Sequence, residues 1–211
     1  MTSSAPIVAN PLLLELPHEL AGRRLVARPY RDGDGSTIAT AVAESRSRLI
    51  AAGMPWVKEW DDPDCGTLFV RRCQAKWAAR DELIFGLWDL TTSTYIGGSG
   101  LHRIVWAVPS FEVGYWVRDA FEGKGLISEA TAVIATFAFD ELGAQRVRIR
   151  CDARNARSAA IPRRLGFVHE ATLRNECRSL NGELRDTFEF GMTPDDFHTL
   201  RDGAWRGFLS P

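Results

Sequence analysis

Three strand-like runs, at residues 83–90, 95–102 and 111–117, follow one another with connections too short to hold a helix. Parallel strands need a crossover of a dozen or more residues, so runs joined this closely pair antiparallel. The middle of the chain is therefore a meander, its first turn made by Thr91-Thr92-Ser93-Thr94. Directly after the third run, Leu126, Ile127, Ala130, Val133, Ile134, Phe137 and Ala138 recur at helical spacing. They predict an amphipathic helix to about residue 142, ended by Gly143. In the strand at 146–151, Val147, Ile149 and Cys151 share one face while Arg146, Arg148 and Arg150 share the other. Meander, helix and strand together predict an α+β fold with one β-α-β crossover.

The flanking segments extend this pattern. A strand at 24–30 leads through Asp32-Gly-Asp-Gly35 into a helix to residue 46, and a second helix spans 64–79. A shorter helix fits 156–165, although Pro162 weakens it past its first turns. Asn181-Gly182 marks a hairpin before a last strand at 184–192, and Thr193-Pro194-Asp195 caps a helix to about residue 202. Pro6, Pro11 and Pro17 make residues 1–20 an N-terminal arm; a single domain is expected over 21–203, with a tail at 204–211.

Composition excludes several classes of function. The 211 residues suffice to bury a continuous core without metal or disulfide staples. With 26 Lys+Arg against 27 Asp+Glu, the net charge of −1 lacks the basic excess that wrapping nucleic acid requires. Cys65, Cys73, Cys151 and Cys177 match no metal-ligand spacing, and His102, His169 and His198 none either, so no metal and reduced thiols in a cytoplasmic protein are expected. The longest apolar stretch, 130–139, falls far short of the ~20 residues of a membrane helix, and no basic segment precedes an apolar one at the N-terminus.

The most informative chemistry lies where the third strand gives way to the helix. Backbone N–H groups of Gly123, Lys124, Gly125 and Leu126 can point one way there, and the helix N-terminus adds partial positive charge, forming an anion cradle. Glycine lets a phosphate approach the main chain closely, and Lys124 places a mobile charge at the rim. Three ligands compete. Gly123 to Ser128 nearly matches the dinucleotide fingerprint, but Ser128 replaces its last glycine and the turn follows a meander. No Walker A run exists. The pyrophosphate of coenzyme A remains.

This segment resembles the acyl-CoA-binding motif Q/R-x-x-G-x-G/A of the GCN5-related N-acetyltransferases (GNAT). Glu112-Val-Gly-Tyr-Trp-Val117, the Gly-Lys-Gly turn with Ser128-Glu129-Ala130, Asn155-x-x-Ser158, Leu165-Gly-Phe167 and Arg185-Asp186 are similar to the branch containing RimJ and RimL. The resemblance runs over about residues 22–200, with Glu122 and Ile127 departing from the motif. It implies a mixed, mostly antiparallel sheet of about seven strands, helices on both faces, and a cleft where the fourth and fifth strands splay. It also implies acetyl-CoA as acyl donor, with pantetheine pairing against the free edge of the strand Tyr115-Trp116-Val117-Arg118, and with the turn at Gly123, Lys124, Gly125, Leu126 and Ser128 on the pyrophosphate.

On the same resemblance, Ser158 protonates the departing thiolate and Asn155 contacts pantetheine, a role compatible with capping a helix. Glu112 is the first candidate for a base and Glu176 the second; water is a third route. Trp56, Trp60 and Trp77 either wall the acceptor pocket or pack, and some of the seven arginines between Arg146 and Arg164 meet the 3′-phosphate. The expected activity is direct acetyl transfer from acetyl-CoA to a primary amine. The acceptor would be a protein N-terminus or, alternatively, a metabolite or antibiotic amine. A CoA-binding regulator without turnover is the reading from another class. Homodimers are common in the resembling branch; no nucleic-acid or membrane partner is expected.

Overall fold

The structure is a computed structural model that describes residues 10–54, 56–57, 60–179 and 181–209. Its strands are β1 (Leu20–Ala21), β2 (Leu25–Pro29), β3 (Leu83–Asp89), β4 (Tyr95–Val105), β5 (Ser110–Val117), β6 (Arg146–Asp152), β7 (Val168–Arg178) and β8 (Leu184–Met192). The helices are α1 (Asp34–Ala51), α2 (Cys65–Ala79), α3 (Leu126–Asp140), α4 (Ala156–Arg164) and α5 (Pro194–Arg201). One sheet orders the strands β1-β2-β3-β4-β5-β6-β8-β7, antiparallel everywhere except β5–β6. The mixed, mostly antiparallel α+β sheet is as expected, with eight strands instead of about seven. The added one is the two-residue β1, whose Leu20 pairs with Ala27 at a length no periodicity can reveal.

Strand alternation builds two cores. Phe85, Leu87, Leu101, Phe111, Val113, Val147 and Ile149 are buried in the core that holds α3. On the other face, Ile38, Val42 and Leu49 of α1 meet Val70 and Cys73 of α2 around Tyr30 and Tyr95. Helix α3 differs from the amphipathic expectation, being buried along nearly its whole length, polar Ser128, Glu129 and Thr131 included. The reason is that β1, α4 and α5 cover the side that a two-layer packing would leave in water. Gly143 closes the helix as foreseen, with φ of 65° and the Ala144 N–H reaching the Ala138 carbonyl at 2.9 Å.

Helix α1 runs to Ala51, five residues beyond the expected end, because Leu49 finds a place in the core and no breaker occurs before Gly53. Around the domain, Leu14 and Leu16 pack on the core, Trp205 is fully buried with its indole N–H on the Leu165 carbonyl, and Leu209 bridges to Gly22. Among the described residues no helix is long and apolar enough to cross a membrane, and no cluster suits a metal ion.

Candidate active site

The one parallel junction of the sheet opens a gap. β5 and β6 pair only at Ser110↔Arg146, Phe111↔Val147 and Glu112↔Arg148, and from Val113 onward they diverge. Because Arg118 donates its N–H to Ile96 at 2.8 Å, alternation turns the N–H and C=O of Tyr115 and Val117 away from β4 and into that gap. The gap belongs to a cleft of about 1040 Å³. One end is the turn before α3, and the other lies between the end of α1 and the β7–β8 hairpin.

The turn is built as an anion cradle. Gly123 and Gly125 have φ of 74° and 76°, which side chains rarely adopt, and nothing lies within 4 Å of where a Cβ on Gly123 would sit. No protein acceptor among the described residues takes the N–H of Gly123, Lys124, Gly125, Leu126, Ile127 or Ser128. The first N–H groups of a helix have no partner within it, and of these residues Gly123, Gly125, Leu126, Ile127 and Ser128 line the cleft, where an anion can meet them. Arg24 sets their direction. Its Nε and backbone N–H hold the buried Glu129 carboxylate at 2.7 and 2.6 Å, and its Nη1 takes the Lys124 carbonyl at 3.0 Å. In a trans peptide the C=O and the next N–H point oppositely, so tying down Lys124 aims the Gly125 N–H outward.

Charge in the cleft favours an anion: Arg48, Arg154, Arg157, Arg164 and Arg185 line it against Glu122, Asp152 and Glu183. Glu122, the acidic departure from the motif, is compensated in space by Arg157 at 2.7 Å and Arg48 at 3.5 Å. A coenzyme with a diphosphate and a 3′-phosphate fits this donor set.

At the middle of the cleft, Asn155 caps α4 by accepting the Ser158 N–H at 3.0 Å. The Ser158 hydroxyl donates to the Tyr115 phenol oxygen at 3.3 Å, and that phenol donates to the Ser158 carbonyl at 3.0 Å. Beside Ser158, burial pushes the Cys151 thiol up although the neighbouring Ser158 hydroxyl works the other way, and burial pushes Cys73 up to about 12. Both thiols therefore stay protonated near neutrality and are poor nucleophiles.

Of the residues expected in the site, Trp116, Val117, Gly123, Gly125, Leu126, Ser128, Asn155 and Ser158 line the cleft. Lys124, Arg118 and Glu112 do not. Lys124 lies over the Phe121 ring at 5.0 Å, and Arg118 is engaged by Glu44 and the Tyr95 carbonyl. Glu112 is enclosed by Arg148 at 3.2 Å, Arg103 at 3.6 Å and Arg150 at 4.0 Å on the arginine face of β6. Glu176 pairs with the same Arg150, which holds its carboxyl below the usual range although burial works the other way. Trp56, Trp60 and Trp77 pack, Trp56 backing the cleft residue Trp116 at 5.6 Å. The Val117 carbonyl, facing the gap, is met by the Arg48 guanidinium.

Sequence reasoning missed Arg48 to Met54, because the helix carrying them was expected to stop short, and, although Tyr115 was expected on the pantetheine edge, it missed the contact of the Tyr115 phenol with Ser158. The divergence of β5 from β6 leaves Tyr115 facing α4, a contact that no local sequence pattern announces.

The family model described as an acetyltransferase (GNAT) domain matches residues 24–168. YdaF of Bacillus subtilis (strain 168), which carries the provisional name of a ribosomal N-acetyltransferase, is 39% identical over 79 residues, 37% of this chain and 43% of that protein. The chain thus spans less than half the length of that relative. The [ribosomal protein uS5]-alanine N-acetyltransferase of Escherichia coli (strain K12) is 26% identical over 186 residues, 82% of this chain and 90% of that one. In fold, the chain superposes on RimL, a ribosomal L7/L12 alpha-N-protein acetyltransferase in complex with coenzyme A. The TM-score is 0.76 at 17% identity, over 82% of this chain and 96% of that one.

Proposed function

Because this chain belongs to the GNAT acetyltransferase family, we propose that it moves the acetyl group of acetyl-CoA directly to the N-terminal amine of a protein. The observation that carries the reading is the set of unpartnered amides at Gly123 to Ser128, at one end of a cleft that Ser158 shares. The relatives named for ribosomal-protein substrates support a polypeptide acceptor, as does a cleft that continues past Ser158 to the end of α1 and the β7–β8 hairpin.

Bound acetyl-CoA supplies an activated thioester, and the chain's own groups do the rest. The turn amides grip the diphosphate, while the outward N–H and C=O of Tyr115 and the N–H of Val117 lie where an extended pantetheine arm can pair as an added strand. Ser158 donates its proton to the sulfur as the C–S bond breaks, and water returns to Ser158 the proton released by the amine. A protein base is absent from this scheme for a physical reason. Among the cleft carboxylates, Glu122 is paired with Arg157, Glu183 meets Arg154 at 3.6 Å, and Asp152 is held below its usual range by Arg154 and Arg185 against the upward push of burial. An Asp152 carboxylate held this way is a weak acceptor for a proton from an ammonium.

Thiol release from acetyl-CoA across a panel of N-terminal peptides, lysine side-chain analogues and small amines tests the proposal. Release should be fastest with peptides whose α-amine is free and absent when that amine is blocked. Coenzyme binding without release for any acceptor would replace the enzyme with a CoA-dependent regulator.

A further inference from the structure

Helix α4 contains Pro162 at a buried position, and proline has no N–H to give the carbonyl four residues earlier, that of Ser158. That carbonyl is nevertheless satisfied: the Tyr115 phenol, reaching from β5 across the splay, donates to it at 3.0 Å. The same phenol oxygen accepts the Ser158 hydroxyl at 3.3 Å, so one side chain replaces a missing helix bond and fixes a side-chain rotamer on the same residue. The Asn155 side chain holds the Ser158 N–H from the other side. Every polar group of Ser158 thus has a partner. We infer that Tyr115 is the positioning residue for Ser158, and that Pro162 creates the vacancy through which it acts.

The inference rests on Ser158 being the proton donor to the departing sulfur. A serine at this position has an alternative, folding its hydroxyl back onto the carbonyl of the capping residue Asn155, three positions earlier. By offering a lone pair inside the gap, Tyr115 keeps the Ser158 proton on the side where the sulfur leaves. The bond is long enough to be surrendered when a thiolate offers a better acceptor. Burial raises the Tyr115 phenol above its ordinary range, so it remains a neutral donor to the carbonyl throughout turnover. The proton delivered to sulfur comes from Ser158, and Tyr115 gains and loses none.

Tyr115→Phe removes both bonds at once, which by itself would mix structural and functional loss. Pro162→Ala separates them, because the alanine N–H can satisfy the Ser158 carbonyl from within the helix. Steady-state thiol release and thermal melting are to be measured for Tyr115→Phe, Pro162→Ala, Tyr115→Phe/Pro162→Ala, Ser158→Ala and Tyr115→Phe/Ser158→Ala. Tyr115→Phe should lower Tm and reduce kcat roughly tenfold with little change in KM, as expected for a misplaced rather than missing group. Adding Pro162→Ala should restore Tm and leave kcat low. On the Ser158→Ala background, Tyr115→Phe should cost no further kcat. Recovery of kcat together with Tm would overturn the inference by making Tyr115 a purely structural carbonyl partner. A full additional loss on the Ser158→Ala background would overturn it by making Tyr115 act independently. Undiminished turnover in Ser158→Ala would instead remove the proton-donor reading itself, and the inference with it.

Discussion

Ser158→Ala is expected to lower kcat about 100-fold, the low end of what a positioned acid contributes, because a thiolate is already a fair leaving group. The KM for acetyl-CoA should change little, since the contacts that hold the coenzyme lie at the turn and along β5. The fold should tolerate the change. Alanine keeps the backbone N–H that Asn155 caps, and the hydroxyl's bond to the Tyr115 phenol, at 3.3 Å, is worth about 1 kcal/mol or less. A drop in kcat without a drop in Tm therefore reads out chemistry. Wild-type turnover in a fully folded variant would send the thiolate's proton to water.

Arg24→Ala is the change expected to destabilise most. Glu129 is 1% exposed in the first turn of α3, and its carboxylate is held by the Arg24 Nε at 2.7 Å. Removing one partner strands a buried charge. Because Arg24 itself is half exposed, the loss should fall near the lower limit for such cases, about 3 kcal/mol. The backbone N–H of residue 24 still reaches Glu129 in the variant, which keeps the cost from rising higher. In a Glu129→Gln background no charge is left to strand, so Arg24→Ala should cost about 1 kcal/mol or less there. Equal losses in both backgrounds, measured by urea unfolding, would show that Arg24 acts through packing alone. The same substitution frees the Lys124 carbonyl and should weaken coenzyme binding beyond the effect on stability.

How far the residues alone disclosed this molecule follows from the range of the forces involved. The meander, the α3 helix and the Asn181-Gly182 hairpin were legible because periodicity and turn chemistry act over a few residues. The cradle was legible for the same reason: two glycines, a strand end and a helix start lie within a dozen positions. Glu112 was not, because its surroundings come from three arginines on other segments, brought together only by the register of β5 on β4 and β6. Arg157, which neutralises Glu122 across the cleft mouth, lies 35 positions away in sequence. Pro162 looked like a helix breaker from its own chemistry. Tyr115, 47 residues earlier, fills the bond that proline forfeits, and no local pattern could have paired them.

The central claim is that main-chain amides at the start of α3 grip the diphosphate of the acyl carrier. Amide chemical shifts measured during a coenzyme A titration test it without requiring turnover or knowledge of the acceptor. The account predicts large, saturable shifts at Gly123, Gly125, Leu126 and Ser128, and much smaller ones with pantetheine, which lacks the diphosphate. Coenzyme binding that leaves those amides unmoved while shifting another region would contradict it.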